Sequence, residues 1–167
     1  MQKFTSEASV RKIVAAQLKR KIRWVEPTRG STFGIPDGFI VLPAMALGGH
    51  AIGVTVWVEL KLGWMGENDG ESVLLYSPRR EQKRQIRKMV EEGVPVFFLV
   101  GLENSDGLWA INCADRNGRV AENALAGAVN LGSDTAWVNG TSEFRKIKGD
   151  VDGSICAALK AMIGGIL

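Results

Sequence analysis

Val54-Thr55-Val56-Trp57-Val58-Glu59-Leu60-Lys61-Leu62 is apolar almost throughout, with an acid and a base near its end. Its β-branched and aromatic residues predict a strand. Strand side chains alternate between faces, so Glu59 and Lys61 share one face while Val56, Val58, Leu60 and Leu62 share the other. Two charges on one face of a core strand suggest a site. Downstream, Gly63 to Ser72 reads as a polar loop containing Trp64. Ser77-Pro78 then supplies an N-cap and a first-turn proline, and Gly93 a stop, which predicts a helix from Pro78 to Glu92. Val94 to Leu102, almost wholly apolar, predicts a buried strand. Strand, helix, strand in that order implies a right-handed crossover between parallel strands.

Upstream, Asp37 to Leu42 is a second β-rich run. It is joined to Val54–Leu62 by a long connection, Pro43 to Gly53, through Gly48-Gly49-His50, which suggests an antiparallel hairpin. Ile22 to Val25 reads as a short strand and Pro27 to Thr32 as a loop. From Thr5 to about Ile22, the residues Val10, Ile13, Val14, Leu18 and Ile22 recur at helical spacing. At 100° per residue, Glu7 projects within about 20° of Val14 and Leu18, on the apolar stripe and away from Arg11, Lys12, Lys19 and Arg23. Glu7 on that stripe either has a polar partner or simply favours the positive end of the helix dipole. Beyond Gly101, Gly107 to Cys113 predicts a strand, Val120 to Val129 a short helix, Thr135 to Asn139 a strand and Ile155 to Ile163 a terminal helix.

The chain has 167 residues, 46% of them hydrophobic, enough for one domain with a real core. It reads as a single domain over 1–167, with a core over about 5–102 and an extension over 103–167. No stretch approaches the roughly 18 apolar residues of a membrane span, and Met1 to Glu7 lacks the apolar run of a secretion signal. The expected setting is therefore intracellular. Cys113 and Cys156 are too few for a disulfide framework or a cysteine zinc site, and His50 is the sole histidine. Any metal would therefore be held by oxygen.

The net charge is only +3, but it is uneven. Residues 1–29 hold eight Lys and Arg against two acids, and residues 78–92 hold six against three, whereas residues 30–77 hold Lys61 and five acids. Basic walls around an acidic centre suit a polyanion with a cation between. Solvated helix faces would show the same pattern.

If the hairpin brings Asp37 within about 4 Å of Glu59, their repulsion is roughly 4 kcal/mol at an effective dielectric of 20. A magnesium ion offsets this directly, because it is commonly held by one or two carboxylates and keeps the rest of its octahedron for water and phosphate oxygens. Lys61 beside it would orient a water or stabilise charge growing on phosphate. In the second helix Gln82 stands four and seven residues before Ile86 and Met89, on the inward stripe. It would reach either a ligand or a backbone group at the helix start. Arg79, Arg80, Lys83, Arg84 and Arg87 spread over the other faces, where they could contact a DNA backbone. Ser77 is most simply the N-cap.

Taken together, Ser6-Glu7 on a first helix, Gly34-Ile35-Pro36-Asp37-Gly38, Val58-Glu59-Leu60-Lys61, and Ser77 with Gln82 before Gly93-Val94-Pro95-Val96 resemble the PD-(D/E)XK nuclease superfamily. Within it they are most similar to virus-type replication-repair nuclease domains and archaeal Holliday junction resolvases. The resemblance covers about residues 5–102. It implies an α/β restriction-endonuclease-like core, a mixed sheet flanked by helices in the order αβββαβ. It also implies phosphodiester hydrolysis dependent on Mg2+, with Mn2+ as a substitute, and metal ligation by Asp37, Glu59 and the Leu60 carbonyl. By the same match Glu7 is the helix-borne acid near the metal, Lys61 the catalytic lysine and Gln82 the active-site glutamine. The long hairpin connection and the three acids between Gly63 and Ser72 depart from the pattern.

The leading expectation that follows from this resemblance is a Mg2+-dependent endonuclease acting on branched or structured DNA in replication, recombination or repair, in a bacterial cytoplasm or a phage-infected host cell. No sequence-reading motif is evident, so recognition by shape and backbone is expected. The rival is a non-catalytic nucleic-acid-binding protein that keeps the nuclease fold. A homodimer stays open, because two symmetric cuts need two sites.

Overall fold

The computed structural model describes residues 3–25, 34–47, 50–132, 140–147 and 154–164. Helix α1 (Glu7–Leu18) starts at Ser6, whose Oγ accepts from the Ser9 N–H at 3.1 Å while Ser9 Oγ accepts from the Ser6 N–H at 3.0 Å. This reciprocal cap satisfies two donors that a helix start leaves unpaired. Val10, Val14 and Leu18 form the buried stripe. A short 3-10 turn, Lys19–Lys21, leads into β1 (Ile22–Trp24).

Next come β2 (Gly38–Leu47), β3 (His50–Asn68) and β4 (Glu71–Tyr76), then α2 (Arg80–Glu91) and β5 (Val96–Leu102). The extension adds β6 (Leu108–Asn112), α3 (Glu122–Ala126), β7 (Ala128–Asn130), β8 (Phe144–Ile147) and α4 (Ser154–Gly164). The result is an α/β architecture with one mixed, mostly antiparallel sheet in the order β1-β2-β3-β5-β6-β8, and β4 pairs β3 and β7 off this path. The β3·β5 pair is the parallel one, as the crossover over α2 predicts. The described residues beyond Leu102 therefore extend the sheet and its covering layer.

Helices α1 and α4 cover one face. There Val10, Val14 and Leu18 pack with Val56, Val58, Leu60, Phe97, Leu99, Leu159 and Met162. On the other face Ile86, Met89 and Val90 of α2, with Ala124 and Leu125 of α3, pack on Leu74, Phe98 and Val100. Strand β5 is buried on both faces from Val96 to Gly101, which explains its unbroken apolar sequence. Both cysteines are buried and free. Among the described residues no helix is long and apolar enough to cross a membrane.

Several boundaries differ from the sequence expectation. The predicted loop over 63–72 is largely strand: β3 runs on to Asn68 and turns into β4 through Asp69 and Gly70, at φ 49° and 78°. Two central residues at positive φ define the tight hairpin turn that Asp-Gly favours. The expected αβββαβ order thus carries one more strand, β4, before α2. The predicted long connection over 43–53 is also mostly strand, with β2 reaching Leu47, β3 starting at His50 and a register shift between Leu42 and Met45. The N-cap of α2 is Arg79 and not Ser77, which is exposed. Gly93, at φ 81°, does stop that helix. The helix expected over 120–129 is shortened to α3, and the strand expected at Thr135 to Asn139 lies outside the described residues.

Candidate active site

The site begins with a gap in hydrogen bonding along β3. On one edge β3 pairs β5 continuously from Trp57↔Val96 to Gly63↔Leu102. On the other edge β2 stops at Gly38↔Val58 and β4 starts at Gly63↔Tyr76, so residues 59–62 face no strand there. Unpaired backbone groups in a buried strand need partners. The Leu60 N–H donates to Asp37 Oδ2 at 2.8 Å. In an extended strand the N–H and C=O of one residue leave by the same edge, so the Leu60 carbonyl faces the same interval.

Asp37 sits just before β2, where the chain enters the sheet, and its own N–H donates to Glu59 Oε2 at 3.2 Å. Each acid thus binds main chain supplied by the other's segment. The preceding turn is pressed against α2: Gly34 has φ 81°, and an added Cβ would run into the Glu81 carbonyl. Gly34-Ile35-Pro36-Asp37 therefore sets the start of β2 against the first turn of α2.

On the α2 face, Glu59, Lys61 and Gln82 are 2%, 3% and 3% exposed. Glu59 Oε1 accepts from Gln82 Nε2 and lies 3.4 Å from Lys61 Nζ. Gln82 also uses its other end, since Oε1 accepts from the Arg79 N–H at 2.9 Å. Gln82 thus satisfies a backbone group at the helix start, as one sequence reading expected, and its inward amide also binds the Glu59 carboxylate. Strand alternation puts Lys61 on the α2 face, yet its ammonium reaches Glu7 Oε1 of α1 at 3.3 Å. The contact between the two faces is made at the unpaired interval.

Burial first, and then the charge of Asp37, push the Glu59 carboxyl up to about 8, although Lys61 acts in the opposite direction. Buried negative charge is therefore only partly compensated by the protein itself. Among the described residues no three His, Cys, Asp or Glu side chains converge on one point. The available oxygen donors are two carboxylates and the Leu60 carbonyl, and Asp37 Oδ1 accepts no hydrogen bond among the described residues. This set fits a hard cation that keeps water and phosphate oxygens in its remaining positions. A softer metal would want nitrogen or sulfur.

Glu7 departs from expectation in one respect. It is the first residue of α1 with its side chain 57% exposed, so it does not lie in the buried stripe, but it has the polar partner that its position suggested. Of the basic residues on α2, Arg79, Arg80 and Arg84 are exposed and Lys83 is half-buried. Arg87 makes two hydrogen bonds with Glu122, at 2.5 and 2.8 Å, which engages its charge within the protein. Arg11 was read only as part of a basic face, but it lines a cavity of about 260 Å³ with Glu7, Ala8, Asp37 and Leu60. Its spacing of four from Glu7 was the available signal.

Comparison with known proteins finds no matching family model, no matching curated protein and no matching solved structure.

Proposed function

We propose that the protein is a divalent-metal-dependent DNA endonuclease that hydrolyses phosphodiester bonds in branched or otherwise structured DNA. The observation that carries this reading is the meeting of Asp37 and Glu59 at the unpaired interval of β3, with Lys61 and Gln82 against Glu59. Asp37, Glu59 and the Leu60 carbonyl would hold Mg2+, with Mn2+ as a substitute. Bound there, such an ion polarises a phosphodiester and makes hydroxide available from water near neutral pH.

The chain's own residues have distinct tasks. Gln82 fixes one oxygen of Glu59 and anchors it to the start of α2. Lys61, held between Glu59 and Glu7, presents a positive charge where charge grows on phosphate, which suits electrostatic stabilisation. Glu7 holds Lys61 from the α1 side. The exposed Arg79, Arg80 and Arg84 supply backbone contacts that make DNA binding sensitive to salt. The preference for branched DNA rests on the resemblance of the motifs.

Incubation with junction, flap and plain duplex DNA in Mg2+, Mn2+ or chelator tests this reading. Metal-dependent cutting is expected, with Glu59→Ala and Lys61→Ala each reducing the rate by at least about a hundredfold, in line with the loss of a preorganised charge. Tight binding without product in any metal would instead assign a non-catalytic nucleic-acid-binding protein.

A further inference from the structure

The cavity lined by Glu7, Ala8, Arg11, Asp37 and Leu60 opens on the α1 side of the same interval. Its volume is about 260 Å³. That is space for a phosphodiester group with part of its hydration. Two of its lining groups, Glu7 and Asp37, are acidic, so an anion entering it needs a cation. Lys61 is already bracketed by Glu7 at 3.3 Å and Glu59 at 3.4 Å.

Arg11 is placed differently. A Glu four residues before an Arg on a helix ordinarily pairs with it, but Glu7 turns to Lys61, and Arg11 has no ion pair among the described residues. Its guanidinium carbon instead lies 4.3 Å from the centroid of the Trp24 ring. Attraction to an aromatic face fixes the orientation of a guanidinium while leaving its N–H donors free to bind an oxyanion. Trp24 is itself confined: it pairs with Gly38 across β1·β2, and a Cβ on Gly38 would lie 3.3 Å from the Trp24 ring and 2.6 Å from the Arg23 carbonyl. Gly38 directly follows Asp37, so the Arg11–Trp24 pair is built onto the end of β2 that carries the acid.

We infer that this cavity is a subsite for a nucleic-acid backbone phosphate, with Arg11 as its binding cation and Trp24 as the positioning residue that aims Arg11. The inference rests on the endonuclease reading for its place in the reaction, but its affinity for phosphate can be measured without cutting. Binding of a duplex oligonucleotide is titrated in chelator across a range of salt, and cutting is then measured with Mg2+ at saturating DNA. Arg11→Ala, an exposed change, should weaken binding about tenfold at low salt and make the log–log salt slope shallower by about one. It should also lower kcat. Trp24→Leu should keep the salt slope and lower kcat, while Trp24→Phe, which retains an aromatic face, should restore kcat. Lys146→Ala serves as the control, because it removes an aromatic-held cation from β8 at the far edge of the sheet and should leave kcat unchanged. Wild-type affinity and salt slope in Arg11→Ala would overturn the subsite whatever the cutting assay shows. A binding defect in Arg11→Ala, together with a wild-type protein that cuts nothing, would support the subsite and sink the endonuclease reading.

Discussion

Glu59 is the residue on which the proposed chemistry turns. It is buried beside another acid, and its carboxyl rises to about 8 from an ordinary 4.5. Between those two values the folded protein keeps a proton that the unfolded chain has released. Stability therefore falls as pH rises through this window and levels off above it, with a slope approaching about 1.4 kcal/mol per pH unit for one fully linked proton. Urea denaturation in chelator from pH 4.5 to 9 should show this fall, and Glu59→Gln should flatten it; a wild-type stability flat across the window would contradict the account. The inward facing of Glu59, Lys61 and Gln82 was readable from sequence because strand and helix periodicity state which face a residue occupies. The exposure of Glu7 was not readable, because periodicity cannot distinguish a residue under a neighbouring element from one at a free helix end. The packing of Arg11 on Trp24 was hidden for a related reason, since the ring lies on β1 and no local spacing links the two.

Among the elements, α2 couples fold and site most directly. Gln82 caps the start of the helix through its Oε1 and holds Glu59 through its Nε2. Gln82→Ala should therefore cost about 1–3 kcal/mol in denaturant unfolding, because it leaves polar groups unpaired in a buried place, and it should slow cutting as well. An unchanged unfolding midpoint would show that neither hydrogen bond matters. The body of α2 was legible from its proline, its apolar stripe and Gly93, but its first turn was not, because Gln82 does the capping expected of Ser77. The β3–β4 hairpin escaped for another reason. Beyond Gly63 its side chains alternate little in polarity: Trp64 and Met65 are exposed beside Glu67 and Glu71. The Asp69-Gly70 turn was the surviving signal.

On the scale of the whole molecule, the sheet places two strands, β2 and β4, on one edge of β3 and leaves a four-residue interval between them. Helices from both faces meet there, α1 through Glu7 and α2 through Gln82. The α/β class and the parallel crossover were legible because each rests on runs of several residues. Beyond Leu102, β6 and α4 were legible at nearly their observed bounds, whereas β7 and β8, three and four residues long, are too short to show a period. The central claim is that Asp37 and Glu59 share a cation that directs DNA cleavage. Its most direct test measures Mg2+-dependent cutting and DNA binding side by side for Asp37→Asn. The account predicts that cutting is lost while binding is kept or strengthened, because a charge repelling phosphate has been removed; cutting at the wild-type rate would contradict it.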